Sequence, residues 1–258
     1  MNQENEKLPI SAVIITLNEE SNIVRCINSL HWVSEIIVYD SGSTDKTTDL
    51  ARNLGAKVIC GEWLGFGPTK NAATNLAKND WIISLDADEE CSIELKKEIV
   101  QKFNQLNSKT AYKTPRLSRY LNRWIRYGGW FPDYQTRLFN KKESGWNLEK
   151  IHEKIEAKNY ENLKNPLFHY VFKNIEHQVS TNNRYSTLQA LKMYENGKSF
   201  SWFHFFTKPK VKFFECYILK LGFLDGWAGF VIAVNAAHSV FMKWSKLREL
   251  DLSKGLRS

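Results

Sequence analysis

Three features of the sequence predict a doubly wound α/β domain followed by a mainly helical C-terminal segment. Apolar β-branched runs alternate with longer amphipathic stretches over residues 1–110. The strand-like runs are apolar almost throughout rather than at every second position, as parallel strands covered on both faces are. Three of them end in polar groups, at Thr16 to Glu20, Asp40 to Asp45 and Asp86 to Glu90. Ligands of such sheets sit beyond the carboxyl ends of the strands, so these endings are expected to converge.

Taken in order, ISAVIITL (10–17) reads as the first strand, EESNIVRCINSL (19–30) as a helix and EIIVYD (35–40) as the second strand. TDKTTDLARNLG (44–55) is expected to be helical, AKVIC (56–60) a short strand, PTKNAATNLAKN (68–79) a helix and WIISLDAD (81–88) the fourth strand. CSIELKKEIVQKFNQLN (91–107) has the spacing of an amphipathic helix, and residues 110–144 read as strands and loops rich in aromatics and arginine. Helical periodicity returns over 174–196, and beyond Gly197 the composition shifts to Phe, Trp and Lys. No internal repeat or low-complexity tract occurs.

The chain has 258 residues, 43% of them hydrophobic, enough for one sizeable core. Its net charge of +8 points to an anionic partner. Most of the excess lies late: from Lys198 to Ser258 ten Lys or Arg stand against four Asp or Glu. Cys26, Cys60, Cys91 and Cys216 are widely separated and form no CxxC pair, which argues against a zinc site or a disulfide framework and for a reducing compartment. The polar start MNQENEKLPI lacks the basic-then-apolar pattern of a secretory signal, and a cytoplasmic location is expected.

The stretch WIISLDADEE places four carboxylates in five positions after an apolar run. Helix capping accounts for Glu89, Glu90 and Ser92, because acids favour a helix start. It accounts poorly for Asp86 and Asp88, which point to one side if the backbone stays extended and then repel unless a cation or ligand hydroxyls intervene. Mg²⁺ or Mn²⁺, held by one or two carboxylates plus phosphate oxygens, would suit them. In YDSGSTDKT, Ser43 to Asp45 read as a turn and capping box, whereas Asp40 is placed to accept hydrogen bonds from a base or ribose.

VIITLNEESNI, IIVYDSGSTDKT and PTKNAATNLAKNDWIISLDADEE, in that order, resemble the family 2 glycosyltransferases over about residues 10–95. The resemblance implies the GT-A (Rossmann-like) fold and inverting transfer from a nucleotide diphosphate sugar, with a UDP-sugar the favoured donor. It puts Thr16, Asn18 and Glu19 beside the nucleotide, Asp40 on the base, and Lys70 with Asn71 at ribose or phosphate. Asp86 would hold the ribose and Asp88 a divalent metal, Mg²⁺ or Mn²⁺.

An inverting transfer needs a carboxylate that takes the acceptor hydroxyl's proton. Glu153 in WNLEKIHEKIE and Asp133 in GGWFPDYQTRLF are the candidates, each with the alternative of a plain surface acid. GGWFPDYQTRLF, IHEKI, LFHY and NRYSTLQALK together resemble bacterial lipopolysaccharide inner-core β-glucosyltransferases, a likeness that favours Glu153 as base. The ED element of many family 2 members is missing. His169, or less so His152, could complete the metal site, the alternative being a core histidine. Gln135 and Arg137 could reach the diphosphate, and Arg116, Arg119, Arg123 and Arg126 could meet anionic acceptor groups or simply face solvent.

The domain division expected is a GT-A domain over 1–196, with a nucleotide-binding half at about 8–110 and an acceptor half at about 111–196, and a basic, aromatic helical segment over 197–258. Residues 226–242 are apolar but sit at the short edge of a spanning helix, and FSWFHFFTKPKVKFF precedes them. An interfacial helix pair lying on an anionic membrane surface is therefore expected. The sequence thus reads as a peripheral enzyme of the cytoplasmic face of the inner membrane, moving a hexose, glucose favoured, to a lipid-linked or lipopolysaccharide core glycan. A sugar-phosphate nucleotidyltransferase is the rival enzyme, disfavoured because TLNEESN holds no Gly-rich phosphate loop. A non-enzymatic membrane or nucleic-acid module is the other rival. Nucleic acid is not expected, because the acidic strand ends would repel phosphates.

Overall fold

The computed structural model describes residues 7–147 and 153–255. The chain forms two compact units, Met1–Leu117 with Asp133–Tyr170, and Ser118–Pro132 with Val171–Ser258. These divisions differ from the boundary expected at 196/197. The helix that ends at Glu195 packs on the last helix of the chain through Ala190, Trp244 and Leu247, so it groups with the C-terminal segment.

The first unit begins with β1 (Leu8–Thr16), α1 (Ile23–Asn28), β2 (Val33–Asp40), α2 (Thr47–Asn53), β3 (Lys57–Cys60), α3 (Phe66–Asn75) and β4 (Trp81–Asp86). Strands β3-β2-β1-β4 lie side by side and parallel, the Rossmann-like order. Pro9 has no N–H to give, and the β1–β2 register shifts between Leu8 and Ser11. The two faces of this sheet carry separate cores. Ile10, Ala12, Ile14 and Val38 pack with Ile23 and Ile27 of α1 on one face, and Val13, Ile15, Ile37 and Ile82 pack with Ala73 of α3 on the other. Burying each such Ile fully contributes about 1.5–3 kcal/mol.

Beyond β4 the sheet becomes mixed. β5 (Glu89–Cys91), α4 (Ile93–Lys102), β6 (Thr110–Tyr120), β7 (Arg123–Trp124), β8 (Asp133–Asn140), β9 (Gly145–Trp146), β10 (Ile155–Glu156), β11 (Asn159–Asn162) and β12 (Leu167–His169) follow. β8 runs antiparallel to β4, and β6 antiparallel to β8, giving the order β3-β2-β1-β4-β8-β6-β12-β5. The parallel pairing expected of the first four strands holds among them and gives way beyond β4 to antiparallel pairs, with β11 parallel to β6. β5 is the second departure. Glu89 and Glu90 belong to this short strand rather than to a helical first turn, while Ser92 does cap α4 by accepting the Leu95 N–H at 3.0 Å.

The second unit contains α5 (Ile175–Glu195), α6 (Trp202–Phe214) and α7 (Gly226–Gly255). Between α6 and α7 come a π turn at Glu215–Leu219 and a 3-10 turn at Gly222–Asp225. Gly229 is required here, because a Cβ on it would stand 1.8 Å from the Gly222 carbonyl oxygen. Asp225 is buried and accepts the Arg126 and Tyr127 N–H groups at 3.1 and 2.8 Å, tying the turn to residues 118–132. Among the described residues no single helix is long and apolar enough to cross a membrane. Trp202–Leu219 and Gly222–Ser253 pass that test of length and composition only as a pair bent by 70°.

Candidate active site

The three polar strand ends do meet. In the register of the parallel strands Thr16 stands opposite Asp40, and Ile15 opposite Asp86. Around them the loops after β1 and β2 are laced together. The Asn18 N–H donates to Ser43 Oγ at 2.8 Å, Thr44 N–H donates to Asn18 Oδ1 at 2.8 Å, and Glu19 N–H donates to Thr47 Oγ1 at 2.8 Å. Asn18 adopts φ +56°, a left-handed conformation that asparagine tolerates well. Asp40 is buried and accepts the Gly42 and Ser43 N–H groups at 3.0 and 2.8 Å and the Ser43 hydroxyl. In this geometry Asp40 anchors its own turn, the role the sequence reading gave to its neighbours. Thr16 Oγ1 is buried with no hydrogen-bond partner among the described residues.

A continuous charge network starts from α3. Lys70 is almost wholly buried over the ring of Trp146, with Nζ 4.6 Å from the ring centroid. Its ammonium bridges Asp86 Oδ1 at 2.9 Å and Glu153 Oε1 at 3.0 Å. The other oxygen of Asp86 accepts from Arg137 at 2.7 Å, and the same guanidinium nitrogen reaches Glu89 Oε1 at 2.5 Å. A β-bulge aims Arg137 here: Tyr112 pairs with Leu138 and Lys113 with Thr136, leaving Arg137 as the extra residue of β8. Glu89 also receives Arg116 at 3.4 Å and the Asp86 N–H at 3.0 Å. Arg116 continues to Asp133 Oδ2 through Nε at 3.0 Å and Nη2 at 2.7 Å, and Gln135 donates to Asp133 Oδ1 at 2.7 Å.

This network resolves the repulsion that the adjacent acids raise. Burial by itself would lift the Asp86 pKa, but Arg137 and then Lys70 outweigh it and hold the carboxyl well below the usual range. Burial opposes the charge of Arg137 too, yet Asp86 and Glu89 keep it firmly protonated. Four carboxylates (Asp86, Glu89, Asp133, Glu153) face three cations (Lys70, Arg116, Arg137), so the network carries one surplus negative charge.

Asp88 takes a separate course. The backbone turns at residues 87–88 instead of staying extended, so Asp88 does not share the partners of Asp86. Its Oδ2 lies 3.3 Å from His169 Nε2, and its carbonyl accepts the Tyr170 N–H at 2.9 Å. The antiparallel pairing of β5 with β12, which sets His169 opposite Glu89, produces this approach. Among the described residues no group of three or more His, Cys, Asp or Glu side chains is arranged to hold a metal. A carboxylate oxygen and an imidazole nitrogen this close fit a hard divalent ion that draws its other ligands from a substrate's phosphates and water.

Of the residues singled out from the sequence, Lys70, Asp86, Arg137, Glu153, Asp133 and Gln135 thus share one network, and Asp88 and His169 form a pair. Asn71 turns away and clamps the Trp146 backbone, donating to its carbonyl at 2.7 Å and accepting its N–H at 3.0 Å. Asn18, Glu19 and Asp40 serve the strand-end loops, and His152 lies outside the described residues. Arg119, Arg123 and Arg126 belong to the second unit, where Arg123 donates to the Leu224 carbonyl at 3.1 Å. Sequence reading missed the hub, Glu89, whose side chain is fully buried between two arginines. The signal available was EEC, a strand-compatible triplet before the Ser92 cap.

The pattern described as Glycosyl transferase family 2 matches residues 11–172. An uncharacterized glycosyltransferase of Rickettsia bellii is 37% identical over 94% of this chain and 87% of its own length. The lipopolysaccharide core biosynthesis glycosyltransferase LpsC of Rhizobium meliloti is 28% identical over 93% of this chain and 92% of its own. Glucosyl-3-phosphoglycerate synthase from Mycobacterium tuberculosis, solved with Mn²⁺, UDP and glucosyl-3-phosphoglycerate, is 27% identical over 45% of each chain with a TM-score of 0.36, a likeness too slight to place a ligand here. The parallel strand order, the charged crevice at its strand ends and the family match over most of the chain lead to one conclusion: this protein belongs to glycosyl transferase family 2.

Proposed function

We propose that this chain transfers a hexose, glucose favoured, from a nucleotide diphosphate sugar to a lipopolysaccharide core or related envelope glycan, with inversion at the anomeric carbon. The observation that carries the reading is the Asp86–Lys70–Glu153 bridge, which sets a strand-end acid of the nucleotide side and the candidate base on one buried ammonium. The near full-length likeness to LpsC supports the choice of acceptor class.

In this reading Asp86 accepts hydrogen bonds from the ribose, and Lys70 and Arg137 fix its carboxylate. The acceptor oxygen forms a bond to the anomeric carbon as the bond from that carbon to the diphosphate oxygen breaks; Glu153 takes the acceptor's proton and the nucleoside diphosphate departs. Glu153 is better suited to this than Asp133. The Lys70 bond uses Oε1 of Glu153, whereas both oxygens of Asp133 are engaged, one by a two-pronged Arg116 contact and one by Gln135. Asp88 and His169 would hold Mg²⁺ or Mn²⁺, whose positive charge would stabilise the departing diphosphate. The network's surplus negative charge, with Asp88 added, would otherwise oppose a diphosphate, which supports a role for the cation.

The second unit supports a peripheral site on an anionic cytoplasmic membrane face. Trp202, Phe203 and Trp227 are 61%, 71% and 69% exposed, and lysines 208, 210 and 220 of the same stretch of sequence are exposed as well. A panel of nucleotide sugars with Mg²⁺ or Mn²⁺, read by nucleotide release and by transfer to core oligosaccharide, tests the catalytic reading. UDP-glucose is expected to be turned over, with loss in Asp88→Ala and Glu153→Gln. Full transfer by Glu153→Gln alongside an inactive Asp133→Asn would move the base to Asp133.

A further inference from the structure

Strand β5 pairs with β12 over three residues, Glu89 to His169, Glu90 to Phe168 and Cys91 to Leu167. Asp88 stands just before this ladder and Tyr170 just after it, and the Tyr170 N–H on the Asp88 carbonyl closes its end. The two residues read above as ion ligands thus sit where so short a ladder would fray first. Side chains outside the charge network fasten that end. Tyr170 lies diagonal to Glu90 across the ladder and donates its hydroxyl proton to Glu90 Oε2 at 2.7 Å. The guanidinium of Arg25 in α1 covers the Tyr170 ring, its Cζ 3.4 Å from the ring centroid, and its Nε lies 3.7 Å from the same Glu90 oxygen. Arg25 Nη2 also donates to Asn22 Oδ1, and Asn22 Nδ2 donates to Glu19 Oε2 at 2.7 Å, so the contacts run back to the loop after β1.

Stability alone does not account for this set. The Arg25 and Glu90 side chains are 33% and 27% exposed, and a partly exposed ion pair of this kind contributes about 0–1 kcal/mol. What a flat guanidinium against a ring does fix is direction: the phenol cannot turn without losing both its cover and its bond to Glu90. The backbone held in this way flanks both ion ligands, since Tyr170 follows His169 directly and Glu90 is two residues from Asp88. Arg25 and Glu90 also cancel in charge, so together they add no net attraction for a cation. Groups one step behind the ligands of an ion commonly set its affinity, because they orient the ligands that touch it.

We propose that Arg25, Glu90 and Tyr170 are positioning residues that hold Asp88 and His169 at the spacing a divalent ion requires. This rests on the reading of Asp88 and His169 as ion ligands and adds the residues on which the ion's affinity depends.

Titration of the full chain with Mn²⁺ in the presence of UDP, read by the paramagnetic resonance of the free ion, tests it in the wild type, Asp88→Ala, Tyr170→Phe and Arg25→Met. The control is Lys113→Met, which removes a cation–ring contact with Tyr160 elsewhere in the first unit. Tyr170→Phe changes no charge, and Arg25→Met removes a positive charge that by itself repels a cation, so charge alone predicts unchanged and tighter binding. Positioning predicts the opposite: both variants should weaken Mn²⁺ binding by about tenfold or more, and Lys113→Met by about twofold at most. The Mn²⁺ level for half-maximal nucleotide release should rise by the same factor, with the rate at saturating Mn²⁺ close to that of the wild type. Melting curves establish that each variant is folded, and Tyr170→Phe, the smaller change, keeps the test available should Arg25→Met fail to fold. Unchanged or tighter Mn²⁺ binding in Tyr170→Phe and Arg25→Met, or an equal loss in Lys113→Met, would overturn the positioning role and leave the ion site standing if Asp88→Ala abolishes it. A wild type that binds no Mn²⁺, or binding undiminished in Asp88→Ala, overturns both.

Discussion

The two compact units handle charge in opposite ways. In the first, the acids at the strand ends are matched inside the chain, as Lys70, Arg137 and Arg116 alternate with Glu153, Asp86, Glu89 and Asp133. In the second, no carboxylate among the described residues lies within ion-pair reach of Lys198, Lys208 or Lys243. Charge that is paired internally is pre-organised: its desolvation has been met during folding, and it is held for a substrate that arrives with its own charges. The contrast sets a region whose charges are matched inside the chain apart from one that leaves several lysines without an acid in reach.

Breaking the first unit's pairing should have the largest effects. Glu153→Gln removes a proton acceptor while keeping the shape, and transfer should fall by about 10²–10⁴ with little change in melting temperature, as general base removal does. Arg137→Met leaves Asp86 and the fully buried Glu89 short of a cation, and urea unfolding should show a loss of about 3–5 kcal/mol. The response to acid follows from the direction of the Asp86 shift. A carboxyl whose folded pKa is depressed adds stability that is fully present above its unfolded value, about 3.9, and is lost as pH falls through the folded value. The stability of Asp86→Asn should therefore fall less steeply below pH ~4 than that of the wild type in acid-unfolding curves. The smallest effect lies outside both charge systems: Ser92→Ala removes the cap on Leu95 N–H and should cost about 1 kcal/mol in the same urea measurement.

Much of the first unit was legible because its signals are local. The four parallel strands and their helices follow the periodicity of the runs that form them, and the strand ends meet as a parallel sheet requires. The antiparallel extension was not legible, because nothing in the runs that form β6 and β8 says that they join the parallel sheet beside β4, and β5 meets β12 from far along the chain. The same limit governs the site. Asp86 and Asp88 stand out by position, but the Lys70–Glu153 contact joins residues 83 apart and no spacing rule reaches that far. Glu89 was hidden for a different reason: an acid one step past a strand and before a Ser cap looks like helix-start chemistry until the turn at 87–88 creates β5. In the second unit the helix over 174–196 was readable from periodicity and those beyond Gly197 from composition, while the association of α5 with α7 depends on packing that only the folded chain displays.

The proposed chemistry rests above all on a cation-assisted diphosphate site at the end of β4. Isothermal calorimetry of UDP with the full chain, run with Mn²⁺ and then with chelator, tests this most directly when Asp88→Ala is titrated in parallel. Binding is expected with Mn²⁺, with a weakening of tenfold or more, roughly 1.4 kcal/mol, both on chelation and in the variant. UDP binding of equal strength with and without the ion, or undiminished in Asp88→Ala, would contradict it.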